Sequence, residues 1–148
     1  MRESLFAKGE QMESYKVFKV LGRVRSLLKR KSAIRARAEE LRLSLLPSGI
    51  TYDRDRVQTS PKERIVETMA KIDELDREYR EITADMMKYK QEMTEWFLVL
   101  PEREREVLTL YYVDCKGIRY ISDTMQITER HVFRLRKNGV SMLTKETE

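Results

Sequence analysis

Apolar residues recur at intervals of three and four along most of the chain, which is the spacing of one face of an α-helix. The pattern stops or restarts at Pro47, Pro61 and Pro101. Because proline removes a backbone N–H and restricts the residue before it, these positions predict element boundaries. The pattern therefore predicts an all-α fold built from three helical blocks.

The first block predicts a helix over residues 11–45 with one apolar stripe, which only Lys31 interrupts. The stripe consists of Val17, Val20 or Leu21, Val24, Leu27 or Leu28, Ile34, Ala38, Leu41 and Leu45. The opposite face is basic, because ten Lys and Arg residues lie between positions 16 and 42, against only Glu39 and Glu40. Two interpretations stay open. This face either contacts phosphates or is solvated and pairs with the acidic block that follows.

The second block begins after residues 46–61, the longest aperiodic stretch. Ser60 is the expected N-cap of the next helix, Pro61 its first residue and Glu63 its capping-box partner. That helix has a heptad seam made of Ile72, Leu75, Tyr79, Ile82, Met86, Tyr89, Met93, Trp96 and Leu100. This seam must pack against another apolar surface, and the stripe of the first helix offers one. The two stripes therefore predict a long, coiled-coil-like antiparallel hairpin over residues 1–99, closed by the 46–61 loop. A dimer in which the seams of two chains meet is the alternative. We expect the hairpin, and a homodimer in addition.

The third block, residues 100–148, predicts short helices joined by turns. Pro101 opens the first helix, residues 118–125 form the second, and a tight turn at 126–128 ends in Thr128, the N-cap of the third. Helices joined in this way form a helix-turn-helix, whose last helix enters the DNA major groove. The pattern therefore predicts a DNA-binding domain.

The first helix of this block is expected to have one apolar face and to end in a short connection. Val107, Leu108, Tyr111 and Tyr112 form the face, and residues 113–117 form the connection. In the second helix, Ile118, Ile121 and Met125 are expected to point inward.

The last helix presents the candidate DNA contacts. At about 100° per residue, Val132 and Leu135 define its buried side. The candidates are Thr128, Arg130, His131, Phe133, Arg134, Arg136 and Lys137. Arginine can bind guanine O6 and N7, lysine can reach the same acceptors or a phosphate, and an exposed phenylalanine can pack on a thymine methyl. His131 and Arg136 lie on the flanks, where we expect phosphate contact. Ordinary surface charge, or packing of Phe133 onto the hairpin, would explain the same residues without DNA.

Composition narrows the function further. The formal net charge is +5, of which residues 1–50 contribute +7, 51–100 contribute −3 and 101–148 contribute +1. A lone cysteine, Cys115, and a lone histidine, His131, are too few for a zinc site, so we expect no metal and no cofactor. No nucleophile elbow, phosphate loop or His-centred dyad indicates an enzyme. No apolar run approaches the roughly 18 residues of a membrane span, and the start lacks a signal-peptide core, which predicts a cytoplasmic protein.

The third block also contains a family pattern. Residues 100–108 read Leu-Pro-Glu-Arg-Glu-Arg-Glu-Val-Leu. The core positions that follow are Ile118, Ile121, Ser122, Met125, Ile127, Thr128, Val132, Leu135, Val140 and Leu143. Together they resemble region 4 of the bacterial sigma-70 family, the helix-turn-helix that binds the −35 promoter element, which implies a domain of three to four helices. Two positions differ from that family. Arg130 replaces a residue that is usually acidic, and Phe133 replaces an arginine that contacts DNA. The resemblance therefore does not imply that this chain binds the −35 element.

Two further segments resemble a second group. Val57-Gln58-Thr59-Ser60-Pro61 before the long helix, and the run from Thr128 to Leu135, are similar to small sigma-like or late transcription regulators of phages and prophages of Gram-positive bacteria. Nothing in the chain resembles sigma region 2, so a complete sigma factor is not expected. The resemblance implies a transcription regulator in a bacterial host cell. We expect its helix-turn-helix to bind specific double-stranded DNA, and its hairpin to dimerise, to contact the transcription machinery such as RNA polymerase, or to do both.

Two other functions stay open. A terminase small subunit, which recognises viral DNA for packaging, also joins a helix-turn-helix to oligomerising helices. A coiled-coil adaptor would bind RNA polymerase through protein contacts alone.

Overall fold

The computed structural model describes residues 14–46 and 60–144. In these residues it contains α-helices and one π-helical segment but no strand, which confirms the all-α expectation. The elements are α1 (Ser14–Ser44), α2 (Pro61–Phe97), α3 (Glu102–Leu108), the π-helical segment (Thr109–Val113), α4 (Ile118–Met125) and α5 (Glu129–Thr144). The expected helix start at residue 11 and residues 47–59 of the expected loop lie outside the described part of the chain. No described helix is both long and apolar enough to cross a membrane.

Helix α2 begins where its capping signal predicts. Pro61 is its first residue, and the Ser60 hydroxyl accepts a hydrogen bond from the Glu63 backbone N–H at 3.3 Å. This bond satisfies one of the N–H groups that the first turn of a helix leaves without a partner.

The apolar stripe of α1 is buried largely as its spacing predicts. Val17, Leu21, Val24, Leu27, Ile34 and Ala38 are buried. Of the two ambiguous pairs, Leu21 is buried and Val20 only half-buried, while Leu27 is buried and Leu28 is 38% exposed. Lys31, which interrupts the stripe, is half-buried with its ammonium nitrogen 4.8 Å from the centroid of the Tyr79 ring. A cation over an aromatic face is stabilised by the ring quadrupole, which explains how lysine fits here.

The seam of α2 is also buried or half-buried at every position. Ile72, Ile82, Met86, Met93 and Trp96 are buried, and Leu75, Tyr79 and Tyr89 are half-buried. Leu100, the last expected seam residue, is also buried but lies beyond the end of α2 at Phe97. The pattern missed Phe97, which is 1% exposed. Since Phe97 is about 100° around the helix from Trp96, the last turn of α2 is covered on two sides rather than along one stripe.

By its internal contacts the chain forms two compact units. The larger unit comprises Met1–Leu27 with Met86–Glu148, and the smaller unit comprises Leu28–Asp85. Each long helix therefore contributes residues to both units. The division into domains at residues 99 and 100 stays a prediction.

The end of the first C-terminal helix differs from its expected form. Residues 109–113 continue α3 as a π-helix, in which the Asp114 N–H donates to the Thr109 carbonyl at 3.0 Å. A π-turn accommodates one more residue than an α-turn. Val113, expected in the connection, is consequently helical and buried.

Helix α5 packs closely on α3 through a glycine. A Cβ atom built on Gly139 would lie 2.8 Å from Cδ1 and 3.1 Å from Cγ of Leu108, a side chain that is fully buried. A methyl group at this position would therefore require the Leu108 side chain to shift. Gly22 of α1 offers a contrast, since a Cβ atom there would meet nothing within 4 Å.

This contrast predicts opposite effects for the same substitution. We expect Gly139→Ala to lower the free energy of unfolding by about 1 kcal/mol or more, because Leu108 must shift within a packed core. We expect Gly22→Ala to raise it by about 0.5–1 kcal/mol, because alanine favours the helix. Urea denaturation of both variants checks this. A Gly139→Ala variant as stable as Gly22→Ala would contradict the close packing of α3 and α5.

Candidate nucleic-acid interface

The turn between α4 and α5 is fixed by local hydrogen bonds. Helix α4 ends at Met125, and its C-cap, Gln126, has a φ of 55°, in the left-handed region. The Ile127 N–H donates to the Ser122 carbonyl at 3.1 Å. The Ser122 hydroxyl in turn donates to the Ile127 carbonyl. These bonds confirm the expected tight turn and set the direction in which α5 leaves it.

Helix α5 begins with the expected cap. The Thr128 hydroxyl oxygen accepts the His131 backbone N–H at 3.1 Å, and the Thr128 carbonyl accepts the Val132 N–H at 3.0 Å. Thr128 is therefore the N-cap of α5, as its sequence position indicates.

One side of α5 is buried against the preceding helices. Val132 and Leu135 form a buried cluster with Val107 and Ile121, as expected. Half-buried side chains pack around this cluster, namely Leu110, Tyr111, Ile118, Met125 and Ile127. Further along α5, Val140 and Leu143 are buried as well.

The other side of α5 is exposed and cationic. We call Arg130, Phe133, Arg134 and Lys137 the reading face, since these four residues share one side of the helix and all are exposed. With Thr128 and His131 they line one groove of about 490 Å³, none of whose lining residues is acidic. Six of the seven candidate DNA contacts are therefore brought together. Their role in binding stays a prediction.

Arg136, the seventh candidate, lies beside this groove and is half-buried. Its guanidinium carbon is 4.5 Å from the ring centroid of Tyr111 and 5.3 Å from that of Phe133. It also lines a second groove, of about 450 Å³, with Tyr112 and with Phe18 of α1. Burial raises the pKa of the Tyr112 hydroxyl, while the positive charge of Arg136 acts in the opposite direction.

Phe133 is only partly covered by the protein. It is 48% exposed on the reading face, and it lines the second groove together with Phe18. Packing against other parts of the chain therefore covers only part of the ring, and the rest is available to a ligand.

Sequence reasoning missed a contact between α1 and this region. Arg25 of α1 donates a hydrogen bond to the Tyr111 carbonyl at 3.0 Å, and its guanidinium carbon lies 4.4 Å from the Tyr111 ring centroid. Arg25 was visible in the sequence only as one of ten basic residues. Its partners are distant in sequence, so no local pattern could single it out.

Other basic residues of α1 pair with the acidic block, as one of the two interpretations expects. In the smaller unit, Arg30 forms an ion pair with Glu78, and Arg42 hydrogen-bonds Asp76 at 2.7 Å. These pairs are at least partly exposed, so each contributes about 1 kcal/mol or less to stability. They nevertheless reduce the positive charge that this face of α1 presents to a polyanion.

The lone cysteine lies in the connection after the π-helical segment. Cys115 has a φ of 54°, and its thiol donates to the Tyr112 carbonyl at 3.8 Å. Burial raises the pKa of the Cys115 thiol, an effect that Arg25 and Lys90 oppose less strongly. Because the thiolate is the nucleophile, a raised pKa lowers reactivity near neutral pH. Among the described residues, no three His, Cys, Asp or Glu side chains gather where a metal ion could bind.

Comparison of the chain with protein-family models, with curated proteins and with solved structures finds no match.

The N-cap provides a test of how α5 is held. We expect Thr128→Ala to lower the free energy of unfolding by about 1 kcal/mol, because the His131 N–H loses its acceptor. Thermal denaturation followed by circular dichroism measures the change. Thr124→Ala, on the exposed side of α4, is the matched control and should leave the midpoint unchanged or slightly raised. Equal midpoints for the two variants would show that Thr128 does not cap α5.

Proposed function

We propose that this protein is a phage or prophage transcription regulator that binds specific double-stranded DNA in the cytoplasm of a bacterial host. In this proposal α4, the 126–128 turn and α5 act as a helix-turn-helix of the sigma region 4 type. The protein is not an enzyme, and the DNA is recognised without a metal or cofactor.

The reading face is the observation that most favours this function. Burial of Val132 and Leu135 orients α5 so that Arg130, Phe133 and Arg134 are exposed together. A groove lined by cations and without carboxylates suits a polyanion, and an α-helix fits the major groove of B-DNA.

The residues of the groove divide by the contacts they can make. Arg130 and Arg134 suit bidentate bonds to guanine, and Phe133 suits a thymine methyl. Thr128, His131 and Lys137 suit phosphates, which set the position of the protein on the duplex without reading sequence. The proposed specificity therefore resides in three of the six residues.

The long helices supply the proposed partner surface. We assign α1 and α2 to an antiparallel hairpin that forms a homodimer, contacts RNA polymerase, or does both. Exposed large apolar side chains near the ends of both helices support this assignment: Leu43, Leu46, Ile65, Val66 and Met69 are 48–66% exposed. A dimer would bind two half-sites and so increase affinity.

The proposal predicts distinct effects for arginine and lysine of the reading face. A duplex obtained by selection from random sequences is used in binding titrations. Arg130→Ala and Arg134→Ala should each weaken binding by about 1–3 kcal/mol and relax specificity at one base pair. Lys137→Ala should weaken binding to all sequences alike and reduce the slope of log affinity against log salt by about 1.

The matched control is Arg80→Ala, which removes the same charge from an exposed position of α2. If both arginine variants bind DNA as tightly as this control, the proposal is contradicted.

Two other results would identify the alternative functions. A ring of many subunits in solution, measured by light scattering, would indicate a terminase small subunit. Failure to shift any duplex at low salt, with capture of RNA polymerase, would indicate the adaptor.

A further inference from the structure

The Tyr111 carbonyl lies in the last turn of a helix, where backbone acceptors lack partners within the helix. The Lys116 N–H donates to the Leu110 carbonyl at 2.9 Å, and the Asp114 N–H donates to Thr109. Arg25 supplies a donor to the Tyr111 carbonyl instead, at 3.0 Å, and a second, longer bond of 3.4 Å to the Lys116 carbonyl. A cation at a helix C-terminus is also favoured by the helix dipole.

The Tyr111 ring is contacted by two guanidinium groups. The guanidinium carbon of Arg25 is 4.4 Å from the ring centroid and that of Arg136 is 4.5 Å from it. Tyr112 packs edge-on against the same ring, with centroids 4.8 Å apart. Arg25 therefore contacts both the backbone carbonyl and the ring of Tyr111, and Arg136 contacts the same ring. All four residues belong to the larger unit.

We infer that Arg25 and Tyr111 position Arg136 to bind a DNA phosphate beside the reading face. Helix α1 then takes part in DNA binding without touching DNA. The inference rests on the proposed function, and it assigns positioning roles to two residues outside the groove.

Positioning Arg136 favours binding because an arginine side chain otherwise samples many rotamers. A long side chain loses rotamer entropy when it binds, and a group that is already held in place loses less. Within residues 14–46 and 60–144 no ion pair involves Arg136, whose contacts are instead the rings of Tyr111 and Phe133. Contact with two rings restricts the movement of the guanidinium without using its N–H groups in an ion pair, which suits it to bind an anion.

The first measurement needs no DNA. Nitrogen-15 relaxation of the Arg136 Nε–Hε group reports how well the guanidinium is ordered in the free protein. We expect an ordered signal in the wild type and in Arg23→Ala, and a disordered one in Arg25→Ala. Arg23 is the matched control, because it lies on the same helix and its guanidinium carbon is 5.9 Å from a different ring, that of Tyr89. If the Arg136 Nε–Hε group is as ordered in Arg25→Ala as in Arg23→Ala, the inference is overturned.

The second measurement is a double-mutant cycle on the selected duplex. Arg136→Ala should weaken binding roughly threefold to tenfold and reduce the salt slope by about 0.9, as expected for one lost phosphate contact. Arg25→Ala should weaken binding by a similar factor, and its effect should disappear in the Arg136→Ala background. Arg25→Lys, which keeps the charge but not the planar group, should retain only part of the affinity. Tyr111→Leu, which removes the aromatic ring that both guanidinium groups contact, should weaken binding by a similar factor.

The outcomes separate this inference from the proposed function. If no duplex is bound, the phosphate contact fails together with the proposed function. If the duplex is bound but Arg136→Ala changes neither affinity nor slope, the inference alone fails. An equal loss from Arg25→Ala in both backgrounds would also overturn it, because a merely structural effect does not depend on Arg136. Denaturation of each variant verifies that it is folded at the assay temperature.

Discussion

The close packing of α5 on α3 determines how the candidate interface is presented. Gly139 allows α5 to approach Leu108, and Val132 and Leu135 join the cluster of Val107 and Ile121. Once this side of a helix is buried, the helical period decides which side chains remain outside. The exposure of the reading face is therefore a consequence of core packing, and a change of α5 orientation would displace all its cations together.

The basic residues of α1 have several different partners. Arg25 binds a backbone carbonyl and a ring, Lys31 lies over a ring, and Arg30 and Arg42 pair with carboxylates of α2. A surplus of positive charge along a helix is often interpreted as a nucleic-acid surface. Here much of that charge supports contacts within the protein, and the cations of α5 are better placed for an external ligand.

Local signals in the sequence predicted the elements and the two faces of α5. Ser60 and Thr128 could be identified as caps because the cap and its helix are adjacent in sequence, and a 3.6-residue period was enough to separate Val132 from Arg134. The π-helical turn was not predictable, since the period assumed was that of an α-helix. The contact of Arg25 with Tyr111 was missed because 86 residues separate the two, and only the assembled fold brings them together.

We propose that α5 contacts double-stranded DNA through its exposed face. Nuclear magnetic resonance titration of the nitrogen-15-labelled protein with the selected duplex locates such a contact residue by residue. We expect the largest backbone amide shifts at residues 128–137, with small changes at exposed positions of α2. Shifts confined to α1 or α2, with the amides of α5 unchanged at saturation, would contradict it.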